Sequence, residues 1–137
     1  MKKRIAVVTG AGAGIGQAIA LELASKGYTV YANARSMDKM RETIEKGKMS
    51  NYKIIPLIFD VSKEEGVKKK ILSIPYIDCI VNNAGVGVDK KLEDLTEEDW
   101  NKVINTNVKG YFFCIKYALE KMTRASCDTI KIENPHK

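Results

Sequence analysis

The stretch RIAVVTGAGAGIGQAIALELASKG, residues 4–27, decides the fold. Its first part, RIAVVT (4–9), is a continuous apolar run, as expected for a parallel strand that is buried on both faces. A glycine-rich turn follows, and residues 14–26 then place apolar side chains at the spacing of a helix: Ile15, Ile19 and Leu23. The stretch therefore predicts a strand, a tight turn and a helix in immediate succession.

The rest of the chain continues this alternation. Further strands are predicted at 28–34, 52–60 and 77–85, and further helices at 36–47, 62–72 and 96–122. The last residues, CDTIKIENPHK (127–137), suggest one more short strand, so about five strands are expected. Alternating strands and helices form a parallel sheet covered by helices on both sides, a three-layer α/β/α fold. The length of 137 residues suits a single domain, with residues 123–137 as an atypical tail.

Several side chains indicate where helices begin and whether a strand is continuous. Ser36 is placed to cap the second helix. Two pairs have the spacing of a capping box, Ser62 with Glu65 and Thr96 with Asp99. Pro56 lies within the third strand and weakens the prediction that it is continuous, because proline cannot donate a backbone hydrogen bond to a neighbouring strand.

Charge and cysteine content narrow the class of protein. The net charge of +6 is spread along the chain rather than concentrated with aromatic residues, so nucleic-acid binding is not expected. Cys79, Cys114 and Cys127 lack metal-ligand spacing, and the first two lie in apolar runs, so we expect buried, reduced thiols and no metal site. The apolar runs are too short to span a bilayer, and no signal-peptide core precedes the glycines. A cytoplasmic protein without membrane contact is predicted.

The turn TGAGAGIG (9–16) does not fit the common dinucleotide fingerprint G-x-G-x-x-G in any register. It fits T-G-x-x-x-G-x-G, with Thr9, Gly10, Gly14 and Gly16. Glycines let the backbone approach a pyrophosphate, and the helix that follows presents free N–H groups and the positive end of its dipole. A glycine-rich turn that binds nothing is the alternative, but the position between a buried strand and a helix favours phosphate binding.

The end of the second predicted strand bears on the choice of cofactor. An NAD site needs an acid here to accept hydrogen bonds from the ribose 2′-OH. This chain instead has Ala34 followed by Arg35 and Ser36. Arg35 offers charge-assisted hydrogen bonds to a 2′-phosphate, so the sequence favours NADP while NAD stays possible.

Four motifs occur together and in order: TGAGAGIG (9–16), FDV (59–61), NNAG (82–85) and Trp100 with Asn107. With them the chain resembles the short-chain dehydrogenase/reductase family over residues 4 to about 122. The resemblance implies a Rossmann-type doubly wound sheet. It also implies a nicotinamide cofactor used for hydride transfer to or from a small carbonyl or alcohol substrate.

The same resemblance assigns roles to single residues. It implies that Asp60 contacts the adenine beside Val61, and that the NNAG loop packs beneath the cofactor and stabilises the sheet. It also implies that Asn107 belongs to a catalytic tetrad, where a break in the long helix lets it hold a water in a proton relay. A second basic marker of NADP preference would fall at Ala13 and is absent. The predicted cofactor-binding residues are Thr9, Gly10, Gly12, Gly14, Ile15, Gly16, Arg35, Ser36, Asp60, Val61, Asn82, Ala84 and Gly85, and the predicted catalytic residue is Asn107.

The other tetrad residues of the family are not matched. A serine after the fifth strand and a Tyr-x-x-x-Lys pair on the next helix would complete the tetrad, and the chain stops before both. We therefore expect a truncated or frame-shifted member of the family, about half of the full length, whose activity is in doubt. A dinucleotide-binding module without catalysis, or an inactive fragment, is the alternative.

Tyr117 and Lys121 have the Tyr-x-x-x-Lys spacing, but they lie one element too early, on the predicted helix 96–122. That helix has an apolar stripe expected to face the sheet: Trp100, Ile104, Val108, Tyr111, Ile115, Leu119 and Met122. On this pattern Tyr117 and Phe113 lie on the outer face, where the resemblance implies contact with a second subunit. We predict that Tyr117 is not catalytic, and that the chain forms a homo-oligomer through helix 96–122 or through an exposed sheet edge.

Overall fold

The structure, a computed structural model, describes residues 3–122 of the chain. Its strands are β1 (Ile5–Val8), β2 (Thr29–Ala34), β3 (Ile54–Ile58) and β4 (Cys79–Val81). Its helices are α1 (Gly14–Ser25), α2 (Met37–Met49), α3 (Glu64–Leu72), α4 (Glu97–Ile104) and α5 (Gly110–Lys121), with a 3-10 turn at Leu92–Asp94 and a π turn at Asn105–Lys109. The predicted fifth strand lies outside the described residues.

The four strands form one parallel sheet in the order β3-β2-β1-β4. All residues of β1 are buried, which explains its continuous apolar sequence. The chain passes from β1 to β2 to β3 in one direction and then returns to the other side of β1 for β4. This reversal opens a crevice at the carboxyl ends of the strands, where doubly wound sheets bind ligands. The predicted fold class, a Rossmann-type doubly wound sheet, is confirmed.

Two buried clusters lie on opposite faces of the sheet and give the three layers. On one face, α1 and α2 pack against a cluster that includes Val8 and Val30. On the other face, α3 and α5 pack against each other over a cluster that includes Val7 and Leu57. Neighbouring residues of β1 thus face opposite layers, as the alternation of a strand requires.

The predicted helix starts are confirmed at two places and wrong at one. The Ser36 hydroxyl caps α2, and Thr96 with Asp99 forms the capping box of α4. The capping box predicted at Ser62 is wrong, because α3 begins at Glu64 and no side chain caps it. The Ser62 hydroxyl instead donates to the Asp60 carboxylate at 2.7 Å, and the Ser62 amide donates to the same carboxylate oxygen at 2.9 Å.

Strand β3 continues through Pro56, which pairs with Ala32 of β2. Within residues 3–122, β2 is the one strand that pairs with β3, so β3 lies at an edge of the sheet. A proline is tolerated at an edge because its missing N–H need not serve a second neighbour.

Helix α1 buries small residues rather than the larger apolar ones that marked it in the sequence. Its buried residues are Gly16, Gln17, Ala20 and Ala24. Ile15 is 74% exposed. Small side chains let α1 lie close to the sheet and to the turn that precedes it.

The helix predicted at 96–122 is present, but the π turn at Asn105–Lys109 divides it into α4 and α5. A π turn closes i→i+5 hydrogen bonds and holds one residue more than an α turn. The predicted inner stripe is exposed on both sides of this turn, at Trp100 (67%) before it and at Leu119 (61%) after it.

The inner face of α5 is not the predicted one. Phe113 and Tyr117 are each 6% exposed and belong to the buried cluster beside α3, so the prediction that they lie on an outer face is wrong. The solvent-facing side instead carries four residues that we call the outer apolar stripe, with their exposures: Val108 59%, Phe112 58%, Ile115 45% and Leu119 61%.

Gly110 explains this orientation. Both faces of α5 carry apolar residues at helical spacing, so periodicity alone does not choose between them. An added Cβ at Gly110 would lie 2.8 Å from Cγ2 of Val61, which follows β3. The face that contains Gly110 must therefore be the inner one.

Of the described cysteines, Cys114 is buried as predicted, whereas Cys79 is only half-buried, so its predicted burial is wrong. Cys79 and Cys114 are free thiols, and Cys127 lies outside the described residues. Burial raises the pKa of Cys114 to about 12, so this thiol stays protonated. No helix among residues 3–122 has the length and apolar content needed to span a bilayer.

Candidate functional site

A cavity of about 500 Å³ opens at the carboxyl ends of the strands, where the strand order reverses. It is lined by Gly10, Gly12, Ala13, Asn33, Ala34, Arg35, Asp38, Lys39, Glu42, Phe59, Asp60, Val61, Ala84, Gly85, Val86 and Thr106. Seven of the predicted cofactor residues are thereby brought together: Gly10, Gly12, Arg35, Asp60, Val61, Ala84 and Gly85.

At Gly10 and Gly12 the glycine loop, residues 9–16, approaches its neighbours too closely to leave room for a side chain. Gly10 has a φ of +62°, and a Cβ there would lie 2.8 Å from Cα of Ala84. A Cβ at Gly12 would lie 2.4 Å from the carbonyl oxygen of Lys39, at the start of α2. Glycine at these two positions follows from backbone contact with the NNAG loop on one side and with α2 on the other.

Thr9 and Asn83 join the glycine loop to the NNAG loop. The Thr9 hydroxyl oxygen accepts hydrogen bonds from the backbone N–H groups of Asn83 and Ala84, both at 3.0 Å. The Asn83 amide donates to the carbonyl oxygens of Thr9 at 3.2 Å and of Gly10 at 3.1 Å. Thr9 does not line the cavity itself, so its part in the site is to hold the two loops together.

Asn33 is a site residue that the sequence analysis missed. Its side-chain oxygen accepts from the Gly10 N–H at 3.2 Å, and its amide donates to the carbonyl oxygens of Leu57 at 3.0 Å and Phe59 at 2.9 Å. Asn33 thus connects the glycine loop to the ends of β2 and β3. The available signal was a polar residue in the otherwise apolar run of β2, since a buried amide must find partners.

Charged side chains gather where β2 runs into α2. Arg35 and Lys39 line the cavity together with Asp38 and Glu42. Each of these two acids is already paired with a cation of α2: Asp38 with Arg41 and Glu42 with Lys46, both at 2.8 Å. Ser36 does not line the cavity, because its hydroxyl accepts from the Lys39 N–H and caps α2.

Asp60 lines the cavity at the end of β3 and is held by the Ser62 hydrogen bonds described above. Burial acts to raise the pKa of Asp60, but these hydrogen bonds and the nearby Arg35 and Lys63 outweigh it and hold the pKa below its ordinary value. Asp60 is therefore an ionised acceptor at neutral pH.

Asn107 lies in the π turn and holds the loop that follows NNAG. Its side-chain oxygen accepts from the Val86 N–H, and its amide donates to the Val86 carbonyl, both at 2.8 Å. Gly85 lies beside it, and a Cβ there would be 3.3 Å from the Asn107 oxygen. The break in the helix that the family resemblance implied is present at this residue. Asn107 does not line the cavity, whereas the adjacent Thr106 does.

The remaining predicted residues lie around the cavity without lining it. Gly14, Ile15 and Gly16 form the first turn of α1. Asn82 follows β4, and its side-chain oxygen is buried with no hydrogen-bond partner among residues 3–122. A buried acceptor of this kind is costly unless a donor outside the described residues reaches it.

Tyr117 is outside this site. Its hydroxyl donates to the Glu64 carboxylate of α3 at 2.7 Å, and Lys116, not Lys121, lies over its ring. The hydrogen bond to Glu64 raises the pKa of Tyr117, whereas a proton-donating catalytic tyrosine needs a lowered pKa. Tyr117 therefore links α3 to α5.

The strand order, the crevice and the glycine loop define the chain as an α/β protein of the Rossmann class. The sequence model described as short chain dehydrogenase matches residues 4–132, and the chain belongs to that family.

Individual relatives agree with this assignment. The 3-oxoacyl-(acyl-carrier-protein) reductase FabG of Staphylococcus epidermidis is 40% identical over 124 residues, which cover 87% of this chain and 51% of the relative. An alcohol dehydrogenase from the archaeon Thermococcus sibiricus, solved with 5-hydroxy-NADP, is 34% identical at a TM-score of 0.80 and covers 88% of this chain and 53% of that one.

A gluconate 5-dehydrogenase from Burkholderia cenocepacia, solved with NADP and tartrate, is 27% identical at a TM-score of 0.78, and the match covers 88% of this chain and 49% of that one. The chain thus spans about half the length of the relatives it matches.

Proposed function

We propose that the chain binds NADP(H) in the cavity and forms the cofactor-binding part of an oxidoreductase that acts on a carbonyl or alcohol substrate. The observation that carries the proposal is the cavity at the strand reversal, whose lining includes residues of the glycine loop together with Arg35. When bound, the nicotinamide supplies or accepts the hydride.

The residues present fit a dinucleotide. A cavity of about 500 Å³ is within the usual size of a small-molecule site. Gly10 and Gly12 leave the loop backbone uncovered for a pyrophosphate, beside the N-terminus of α1. Asp60, ionised and half-buried, supplies an acceptor for the adenosine end.

NADP is preferred to NAD because of the charges near α2. The acids at this end of the cavity are paired with cations of α2, whereas Arg35 and Lys39 supply positive charge to the cavity lining. A guanidinium favours a 2′-phosphate through charge-assisted hydrogen bonds. The two structural neighbours solved with NADP or a derivative of it support this preference.

The roles of the other predicted residues follow from their contacts. Thr9 supports the NNAG loop, to which Asn82 belongs, and Gly14, Ile15 and Gly16 form the start of α1 beneath the pyrophosphate. Ser36 shapes the start of α2. Asn107 acts in catalysis by fixing the loop at Val86 and by serving a proton relay.

Titration of the purified chain with NADPH and with NADH, followed by cofactor fluorescence, tests binding and preference. We expect saturable binding of both, with NADPH tighter. Replacing Arg35 by glutamine should weaken NADPH about tenfold or more, the loss expected for one or two charge-assisted hydrogen bonds, and leave NADH unchanged. Lys48→Gln, the same charge change at the far end of α2, is the control. Absence of saturable binding of either cofactor would refute the proposal.

Catalysis is tested separately from binding. Oxidation of NADPH in the presence of a panel of ketones distinguishes a reductase from a dinucleotide-binding module without activity. The module is the second candidate because, among residues 3–122, Tyr117 donates to Glu64 outside the cavity and Asn107 alone represents the predicted tetrad. Cofactor binding without turnover would favour the module.

We also propose that the chain forms a homo-oligomer in the cytoplasm. The outer apolar stripe lies along one side of α5 and is about half exposed or more at each position, which is typical of an interaction surface. Among residues 3–122, β4 pairs with β1 alone, and its other edge offers a second surface. Free thiols at Cys79 and Cys114 support a reducing compartment. Light scattering on the purified chain tests the oligomer, and a monomer at micromolar concentration contradicts it.

A further inference from the structure

A chain of hydrogen bonds runs from the surface of α2 to the glycine loop. The Lys46 ammonium donates to the side-chain oxygen of Gln17 at 2.9 Å. The Gln17 amide donates to the Thr43 hydroxyl at 3.0 Å and to the Gly12 carbonyl at 3.3 Å. The Thr43 hydroxyl in turn donates to the Ala11 carbonyl at 2.7 Å. Two consecutive carbonyls of the glycine loop are therefore held by side chains of α1 and α2.

Packing alone does not require these polar side chains. Thr43 is fully buried and Gln17 nearly so, between α1, α2 and the glycine loop. Valine has the shape of threonine and would fill the same space without a hydroxyl that must be satisfied. The hydroxyl here uses its one proton toward Ala11 and accepts from Gln17, so the network is fully connected. A buried network of this kind fixes a unique local conformation.

The held carbonyls point toward Thr43 and Gln17, and peptide geometry then fixes the direction of the N–H groups that follow them. In a trans peptide the C=O and the N–H that follows it point in opposite directions. Fixing the Ala11 and Gly12 carbonyls toward α1 and α2 therefore also fixes the N–H groups of Gly12 and Ala13, and both residues line the cavity. The close contact of Gly12 with the Lys39 carbonyl holds the same segment from α2.

We propose that Thr43 is a positioning residue for the cofactor, which holds the glycine loop in the conformation that binds the pyrophosphate. This inference rests on the proposed function and deepens it. It makes α2 a support for two parts of the cofactor, with Lys39 and the preceding Arg35 at the adenosine phosphate and Thr43 behind the pyrophosphate.

The test compares a ligand that has a pyrophosphate with one that lacks it. Binding of NADPH and of adenosine 2′-phosphate is measured for the wild type, Thr43→Val and Thr43→Ser. Thr43→Val should weaken NADPH about tenfold and leave adenosine 2′-phosphate unchanged. Thr43→Ser keeps the hydroxyl and should bind both ligands as the wild type does. Gln17→Met, which removes the amide that links Thr43 to Gly12, should resemble Thr43→Val.

Each outcome of this test either supports or overturns the inference about Thr43. Equal NADPH affinity of Thr43→Val and the wild type overturns the inference while the proposed function stands. An equal loss for both ligands assigns Thr43 to general stability and also overturns it. If Thr43→Val does not fold, Thr43→Ser and Gln17→Met carry the test by the same two-ligand comparison. A wild type that binds neither ligand removes the proposed function and this inference together.

Discussion

The glycine loop and helix α5 differ in how completely their polar groups and apolar faces find partners within residues 3–122. Around the glycine loop, backbone groups are bonded to the side chains of Thr9, Asn33, Thr43 and Asn83, and backbone segments touch where only glycine fits. Along α5 the inner face is packed as closely, but the outer apolar stripe faces solvent. Within residues 3–122 the cofactor end is thus supported, whereas α5 is covered on one side and exposes the outer apolar stripe on the other.

The largest expected effect contrasts the two faces of α5 at adjacent residues. Phe113→Ala removes a buried ring and should lower the free energy of unfolding by about 3–5 kcal/mol. Phe112→Ala removes a ring from the outer apolar stripe and should change the monomer by less than about 0.5 kcal/mol. Urea denaturation at low protein concentration measures both. Similar losses in the two variants would mean that the inner and outer faces are wrongly assigned.

A smaller effect is expected at the glycine loop. Gly16→Ala places a Cβ 2.1 Å from the Gly10 carbonyl oxygen, so either α1 or the loop must shift. The free energy of unfolding should fall by about 2 kcal/mol, as for other overpacked positions. Gly87→Ala is the control, because a Cβ there meets nothing within 4 Å. Thermal or urea unfolding of the two variants measures this difference. Equal stability would show that the glycine loop shifts at little cost in free energy.

The smallest effect concerns the contact between α3 and α5. The Tyr117 hydroxyl is the main cause that lowers the pKa of Glu64 from its ordinary 4.5. A lowered folded-state pKa means that the contribution to stability is present above pH 4.5 and is lost as the pH falls through the lower value. Tyr117→Phe should therefore be slightly less stable than the wild type at pH 7.

The difference between Tyr117→Phe and the wild type should shrink toward zero as the pH falls well below 4.5. Tyr111→Phe, on the same helix, serves as the control for loss of a hydroxyl. Unfolding free energies measured between pH 7 and pH 3 give the comparison. A constant difference across this range would show that ionisation of Glu64 does not account for the contribution of the Tyr117 hydroxyl to stability.

The sequence predicted the elements of this fold more securely than their orientations. The glycine loop and Arg35 were predicted from backbone approach and charge, and the NNAG loop and Asp60 from the resemblance to the family; residues of all four line the cavity. The Asn33 and Thr43 networks were missed because single polar residues in apolar runs do not reveal their partners. The face of α5 was misjudged because the helix carries apolar residues on two sides, so that periodicity alone does not choose between them.

The π turn also sets the rotation of α5 about the helix axis relative to α4. One extra residue turns α5 by about 100° relative to α4, as each residue of a helix does. Deleting a single residue between Asn105 and Lys109 would restore a regular helix, yet it would swing Phe113 and Tyr117 off α3. The π turn therefore acts together with the close contact at Gly110 in setting which side of α5 packs against α3 and which side faces solvent.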